Sequence, residues 1–184
     1  MSDLTKKALA QTLKDLMRRQ TLDKITVKEL SETCGVNRQT FYYHFQDIYD
    51  LLIWIYRKDI TEPLLKYRSY SRWKEGITLV FKYMEENKPF CLNTYRSLGK
   101  AKSEMFLNNI AFDCLRTVVE ECSENSPLSS QKKDFIARFY GDGFTGLVIR
   151  WLESGANESG YDLIENLCCL LDGDFSRAIK KMSS

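Results

Sequence analysis

The sequence predicts an all-α protein with an N-terminal three-helix domain of the helix-turn-helix type and a larger helical domain behind it. Apolar residues recur at spacings of three and four almost throughout, strand-like alternation is scarce, and the chain has only three prolines. With 184 residues, of which 43% are apolar, it can bury a substantial core. We expect about nine helices, in domains of residues 1–50 and 51–184.

The first two helices follow from apolar spacing and capping residues. The first is predicted to end near Gln20, and its stripe comprises Leu4, Ala8, Leu9, Leu13, Leu16 and Met17. The second begins after Thr26, because a threonine followed three residues later by Glu29 has the spacing of a capping box. Gly35 is placed to end this helix in the left-handed conformation.

A third short helix follows the glycine turn. Asn37 can cap it, and Val36 is placed to pack on Phe41 as a hydrophobic staple. Two short helices joined by one glycine turn predict a helix-turn-helix over about residues 27–45. A fourth helix runs from about Asp47 toward residue 67, with Pro63 kinking or ending it.

The remaining helices are predicted at about 71–87, 89–98, 103–123, 128–154 and 158–181. The clearest breaks between them are residues 123–127 and 155–158, which combine serine, asparagine, glycine and proline.

The stretch GVNRQTFYYHF, residues 35–45, combines four aromatic residues, one arginine and the single histidine of the chain, without a carboxylate. On a helix, Phe41 and Phe45 lie on one side, and Gln39, Thr40 and Tyr43 lie on the other. The polar face offers hydrogen-bonding groups suited to base edges and phosphates, which predicts a DNA-reading surface. The alternative is a short solvated helix whose tyrosines fill a groove.

The stretch ITVKELSETCGVNRQTFYYHFQDIYDLL resembles the N-terminal DNA-binding domain of the TetR family of transcriptional regulators, and the resemblance covers roughly residues 4–55. In that family the third helix enters the major groove, and the later helices bind a ligand and form a dimer. The stretch QTFYYHFQDIYDLLIWIYRKDI is similar to the subgroup that includes regulators of dihydroxyacetone kinase operons, some of which are activators.

The resemblance implies a homodimer on a palindromic operator, most simply an effector-responsive repressor. With the cap residue Asn37, the residues expected at the DNA are Thr26, Lys28, Arg38, Gln39, Thr40, Tyr42, Tyr43 and His44.

Two positions depart from the family pattern. Ile48 stands where many members have a phosphate-binding lysine, so one phosphate contact is expected to be missing. Cys34 replaces the small alanine before the turn, which a core accepts.

The C-terminal part is predicted to form the dimer. Residues 128–154 carry an apolar face too broad for one neighbour, and their three glycines suit the close approach of another backbone. Paired with the last helix, they predict a four-helix interface formed by Phe139, Phe144, Leu147, Trp151, Ile164, Leu167, Cys168 and Leu171. The alternative is that both faces are the internal core of a monomer.

The middle segment is expected to supply any pocket for an effector, which is an unidentified small molecule or partner protein. Aromatic residues proposed to line it are Trp54, Tyr67, Trp73, Phe81, Phe90, Tyr95 and Phe112. An aromatic stripe at helical spacing is equally typical of a core, so packing is the alternative for each of them.

Other classes of protein have little support. No phosphate-binding glycine loop, zinc-protease motif or nucleophile elbow occurs, and one histidine without a CxxC pair gives no metal site, so we expect neither an enzyme nor a metal or cofactor. Long apolar runs and an apolar signal core are missing, which predicts a cytoplasmic protein without membrane contact. Two alternatives stay open: a helical adaptor that acts by protein contact, and a thiol sensor that uses Cys168 and Cys169.

Overall fold

The structure is a computed structural model that describes residues 2–124 and 126–183. It confirms the all-α class, since the described residues form helices and turns without a strand. The N-terminal helices are α1 (Ser2–Met17), α2 (Val27–Cys34) and α3 (Arg38–His44), with a short 3₁₀ turn at Leu22–Lys24. These helices pack on one another, and residues 2–45 are called the head below.

The predicted caps of the helix-turn-helix are present. The Thr26 hydroxyl accepts a hydrogen bond from the backbone N–H of Glu29 at 3.1 Å. Gly35 ends α2 with φ 74° and ψ 25°, a left-handed conformation that glycine adopts without strain. One detail differs: the Glu29 carboxylate accepts from Gln20 Nε2 at 3.0 Å, which ties α2 to the end of α1.

Helix α4 (Ile48–Tyr56) leads from the head into the rest of the chain. It continues through a π-helical turn at Arg57–Thr61 and two short turns, Glu62–Leu64 and Leu65–Tyr67. Pro63 explains the widened turn, because it lacks the N–H that would bond the carbonyl of Asp59 in a regular helix. The predicted fourth helix therefore reaches Tyr67, with an irregularity just before the proline.

The C-terminal helices are α5 (Trp73–Glu86), α6 (Lys88–Cys122), α7 (Ser130–Glu153), α8 (Gly160–Leu171) and α9 (Asp174–Ser183). Residues 73–183 are called the body below. Gly99 interrupts α6 with φ 75° and ψ 170°, near the predicted gap between two helices. The single helix predicted at 158–181 is wrong, because Gly173 has φ 75° and separates α8 from α9.

The hydrophobic core runs without interruption from the head into the body. One cluster contains Leu9 and Phe41 of the head, Leu51 of α4, and Phe81 and Trp151 of the body. A second cluster joins α6, α7, α8 and α9 around the fully buried Phe175. Helices α6 and α7 form the most extensive pair. Because of this shared core, α4 cannot move without disturbing both parts.

Candidate nucleic-acid interface and adjoining cavity

Helix α3 presents one apolar and one polar face, as the spacing predicted. Phe41 is completely buried and Phe45 nearly so, with their ring centroids 6.0 Å apart. Tyr43 is 81% exposed and Tyr42 is 58% exposed, so two large aromatic side chains face solvent beside a short polar helix. Together with the polar residues beside them, these two tyrosines form the exposed face that the sequence predicted to contact DNA.

The nine residues expected at the DNA lie on or beside this surface. Those exposed are Thr26, Lys28, Asn37, Arg38, Gln39, Tyr42 and Tyr43, whereas Thr40 and His44 are half-buried. Two of them, Thr26 and Asn37, also cap helices by accepting hydrogen bonds from backbone N–H groups. The Asn37 Oδ1 accepts from the Thr40 backbone N–H at 2.7 Å and from the Thr40 hydroxyl at 3.0 Å. Asn37 and Thr26 are therefore engaged as helix caps, and their oxygens are already hydrogen-bonded.

The side chains that remain for base edges are Arg38 and Gln39, which are exposed at the first turn of α3. Within the described residues Arg38 makes no ion pair, and its guanidinium is free to donate to a base. Lys28 lies 4.0 Å from Glu32, a long and exposed contact that a phosphate can replace.

The start of α4 explains the departure at Ile48. Ile48 is only 8% exposed and belongs to the core. Asp47 caps α4 by accepting from the backbone N–H of Asp50 at 2.8 Å, and the Asp50 carboxylate accepts from the backbone N–H of Gln46 at 3.1 Å. Carboxylates therefore accept from backbone N–H groups at the N-terminus of this helix that could otherwise bind phosphate.

Polar contacts join the head to the body at the π-helical turn. Lys14 of α1 forms an ion pair with Asp59, and the same Asp59 oxygen accepts from the Tyr83 hydroxyl at 3.0 Å. The Lys14 ammonium also lies 5.0 Å from the centroid of the Tyr83 ring. Nearby, Asn93 Nδ2 donates to the carbonyl of Met17 at 2.6 Å. The head is therefore tied to the body by two contacts, one through Asp59 of the π turn and one directly between α6 and the end of α1.

A cavity of about 510 Å³ lies between α4 and the body. Its walls come from α4, α5, α6 and α7, and the side chains around it are almost wholly apolar. Of the seven residues proposed from the sequence, Tyr67, Trp73 and Tyr95 line it. Phe81 and Phe90 do not, because both are buried in the core. For those two positions the packing interpretation is the correct one.

The other two proposed residues lie elsewhere. Trp54 packs edge to face on Phe45, at the junction of α4 with the head. Phe112 lines a separate, smaller cleft beside Arg138, whose guanidinium lies 4.4 Å from the centroid of the Phe112 ring.

Sequence reasoning missed that α4 forms one wall of the cavity, through Tyr49, Leu52, Ile53 and Tyr56. A signal was present, since this helix has apolar residues around most of its circumference and one charged residue between 48 and 56. Two hydroxyls were also missed. Thr94 and Ser103 line the cavity and are at most 7% exposed; Ser103 has no hydrogen-bond partner among the described residues, and the Thr94 hydroxyl interacts weakly with the Tyr56 hydroxyl.

The residues predicted for a dimer interface divide into two groups. Trp151, Ile164, Leu167 and Leu171 are buried inside the chain, so the structure corrects their assignment to an interface. Trp151 packs on Phe81 and also donates to the carbonyl of Glu158 at 3.0 Å. Helix α7 carries apolar residues on two sides with the same helical spacing. The spacing therefore does not tell which side packs against the rest of the chain and which side is exposed.

The remaining members are Phe139, which is 64% exposed, and the half-buried Phe144, Leu147 and Cys168. Phe144 lines the cavity and packs on Phe81. The exposed apolar face of α7 consists of Phe135 and Phe139, with Gly143 and Gly146 on the same side, where no other atom lies within 4 Å of an added Cβ. Gly141 differs, since its Cβ would meet Ala111 at 3.5 Å.

Among the described residues no group of histidine, cysteine and acidic side chains has the arrangement of a metal site. Burial is the main cause that raises the pKa of the Cys168 thiol, and the Cys169 side chain is exposed. None of the described helices combines the length and the apolar character that crossing a membrane requires.

Comparisons with known proteins match both parts of the chain. Residues 11–54 match the family described as bacterial regulatory proteins, tetR family, and residues 71–173 match the family described as transcriptional regulator C-terminal region. A curated relative is the HTH-type dhaKLM operon transcriptional activator DhaS of Lactococcus lactis subsp. lactis (strain IL1403). It is 28% identical over 173 residues, which cover 90% of this chain and 89% of the relative.

Two solved structures are similar over most of the chain. The dihydroxyacetone kinase operon activator DhaS superposes with a TM-score of 0.77 at 27% identity, covering 98% of both chains. A tetR-family transcriptional regulator from Streptomyces coelicolor has a TM-score of 0.63 at 12% identity, covering 98% of this chain and 88% of the other. The second similarity concerns the fold alone.

Proposed function

Because the chain belongs to the TetR family of transcriptional regulators, we propose that it acts as a homodimer that binds a palindromic operator and responds to an effector. The observation that carries the proposal is α3, which buries its phenylalanines and exposes Arg38, Gln39 and Tyr43 without a carboxylate in the helix. The family consists of DNA-binding regulators rather than enzymes. Binding to chromosomal DNA places the protein in the cytoplasm.

In this proposal Arg38 and Gln39 contact base edges, and Lys28, Thr40, Tyr42, Tyr43 and His44 contact the DNA backbone or thymine methyl groups. Thr26 and Asn37 act mainly by holding the two helices in place, because their side chains already serve as caps. Two such helices would enter successive major grooves roughly 34 to 36 Å apart.

The exposed face of α7 supports the dimer. Phe135 and Phe139 lie on this face beside two glycines that would let a partner backbone approach closely. Leu170 of α8 is also 70% exposed. We propose that a second copy of the chain covers this surface. Replacement of Phe139 by serine should shift the protein toward monomer in sedimentation, whereas an unchanged dimer would contradict the assignment.

The cavity supports an effector response. Ile60 of the π-helical turn lines the cavity, while the preceding Asp59 binds Lys14 of the head. A molecule in the cavity would therefore contact the same turn that fixes the head. An effector with different affinities for two head orientations would change operator affinity by that difference.

DNA binding can be tested with duplexes that flank the gene of this protein. Lys28 is the cationic side chain assigned to the DNA backbone, which gives about two phosphate-neutralising groups in a dimer. The slope of log K against log salt should then be about −2. Arg38→Ala should relax sequence preference in a binding-site selection. Lys82→Ala, at a 60% exposed lysine of the body, is the matched control.

The rival is a helical adaptor that kept the fold and acts by protein contact. Absence of binding to every flanking duplex, or a salt slope near zero on a palindromic site, would favour that rival over an operator-binding regulator.

The direction of regulation has two candidates. A repressor follows from an operator that overlaps a promoter. An activator is favoured by the printed names of two relatives, at 28% and 27% identity, which describe activators of a dihydroxyacetone kinase operon. A reporter fused to the adjacent promoter separates them, since deletion of this gene would raise expression in the first case and abolish its induction in the second.

A further inference from the structure

The cavity between α4 and the body has a chemical character that limits what can bind in it. Its volume of about 510 Å³ lies within the usual range of sites for drug-sized molecules. Lys102 is the one charged side chain among the described lining residues, and it is exposed. With Ile53 and Met105, which are 58% and 63% exposed, it marks the mouth of the cavity.

The interior is therefore apolar, with a few uncharged polar groups. Tyr56 and Cys91 line it, and burial raises the pKa of both side chains, that of Cys91 to about 12, so both are neutral at physiological pH. Arg68, whose Nε is buried without a hydrogen-bond partner among the described residues, contacts the Cys114 thiol of the cavity wall, and Lys102 lies at the mouth. A ligand carboxylate or phosphate that reaches neither of them would lose its hydration without gaining a counter-charge. A small polyol would also bind weakly, because most of its hydroxyls would lose their hydrogen bonds to water without finding partners in the cavity.

Two hydroxyls inside the cavity lack a well-formed hydrogen bond. Thr94 and Ser103 are 6% and 7% exposed and line the cavity; Ser103 makes no hydrogen bond with the described residues, and the Thr94 hydroxyl interacts weakly with that of Tyr56, which also lines the cavity. They lie on α6 on opposite sides of the Gly99 interruption. Buried hydroxyls are normally satisfied, so two such groups around one cavity point to a ligand that supplies the missing bonds.

We infer that the cavity binds an uncharged, mostly apolar molecule of drug-like size that carries at least one hydroxyl, carbonyl or amide group for Thr94 and Ser103. This inference rests on the proposed effector response and names the chemistry of its effector. Apolar contact with α4, α5 and α7 supplies the affinity, and the two hydroxyls supply the orientation and the selectivity.

The test uses the full-length protein without DNA and the neutral fluorophore N-phenyl-1-naphthylamine. Its emission should rise on binding and saturate. Unlabelled 1-decanol should displace it, whereas glycerol should not. Sodium decanoate should compete about tenfold less well, because its carboxylate either stays beside Lys102 at the mouth, away from Thr94 and Ser103, or loses its hydration in the interior. Equal competition by decanol and decanoate, or failure of both the dye and decanol to bind, would overturn the inference.

The variant Thr94→Val combined with Ser103→Ala removes both hydroxyls with little change in volume. The apparent affinity of decanol should fall by about tenfold, which corresponds to the loss of one or two neutral hydrogen bonds. The affinity of the dye, which is held mainly through its rings, should change much less. An unchanged affinity for decanol would show that the two hydroxyls do not hydrogen-bond to the ligand, which would overturn this part of the inference.

A second variant establishes where the dye binds. Ile110→Trp places a larger ring at a half-buried lining position and should abolish dye binding. Its matched control is Tyr161→Ser, which removes a 56% exposed aromatic ring outside the cavity and should leave dye binding intact. The reverse pattern would place the dye on the surface and overturn the inference.

The outcome is separable from that of the proposed function. Protein that binds its operator but takes up neither dye nor decanol contradicts the ligand chemistry alone. Protein that binds both compounds, yet binds no flanking duplex, supports the ligand chemistry and contradicts the operator-binding role.

Discussion

The junction between head and body provides the sharpest test of the structure, through the substitution Asp59→Ala. One Asp59 oxygen accepts from Lys14 and from the Tyr83 hydroxyl, and the Lys14 and Asp59 side chains are only 19% and 31% exposed. Removal of the carboxylate leaves an ammonium and a phenol without an acceptor. Breaking a fully buried pair costs about 3 to 5 kcal/mol, and partial exposure reduces this to about 2 to 3 kcal/mol.

Alanine also favours the helix by about 0.5 kcal/mol relative to aspartate. The free energy of unfolding should therefore fall by about 2 kcal/mol. Urea denaturation followed by circular dichroism measures this change, with all variants at one protein concentration because the proposed dimer would link stability to concentration.

The matched control is Glu86→Ala, which breaks an exposed pair with Lys82, where the two atoms lie 3.9 Å apart. Its loss should be below about 0.5 kcal/mol. Equal losses in the two variants would refute the conclusion that Asp59 fixes the head on the body. Operator affinity should also fall in Asp59→Ala and stay unchanged in Glu86→Ala, because only the first frees the head.

Three further predictions concern local features. Asn37→Ala removes the cap of α3 and should lower the free energy of unfolding by about 1 kcal/mol in urea denaturation, whereas a change near zero would contradict the cap. Gly173→Ala should lower the thermal midpoint by a few degrees, since a Cβ is strained at φ 75°, and an unchanged midpoint would contradict the break between α8 and α9. The raised pKa of Cys91, about 12, keeps its thiol protonated at pH 8 even though it lines the cavity, so iodoacetamide at pH 8 should modify Cys91 quickly only in urea. Rapid modification of Cys91 in the native protein, located by peptide mapping, would contradict the raised pKa.

The helix-turn-helix could be predicted in detail because its determinants are local. The caps Thr26 and Asn37 bond backbone groups three residues away, and Gly35 adopts its conformation without help from distant residues. The burial of Phe41 and Phe45 follows from a spacing of four residues on one helix. The resemblance to the TetR family concentrates in the same stretch.

The body was less predictable, because its features depend on which helix meets which. Residues of both apolar sides of α7 have the same spacing, yet Trp151 faces the core and Phe139 faces solvent. Phe81 and Tyr95 are both aromatic residues on helices of the body, yet only Tyr95 lines the cavity. Hydropathy does not tell which member of each pair is buried in the core, because that depends on neighbours that are far away in the chain.

The amino-acid sequence by itself determined the helical class, the capped turn and the polar face of α3, because hydrogen bonds and side-chain spacing within a few residues decide them. Only the tertiary structure decided that α4 forms a wall of the cavity, that Thr94 and Ser103 face it without a well-formed hydrogen bond, and that Phe135 and Phe139 stay uncovered. These features depend on how far apart separate helices lie and which faces they turn to one another, and the packing of the whole core sets both.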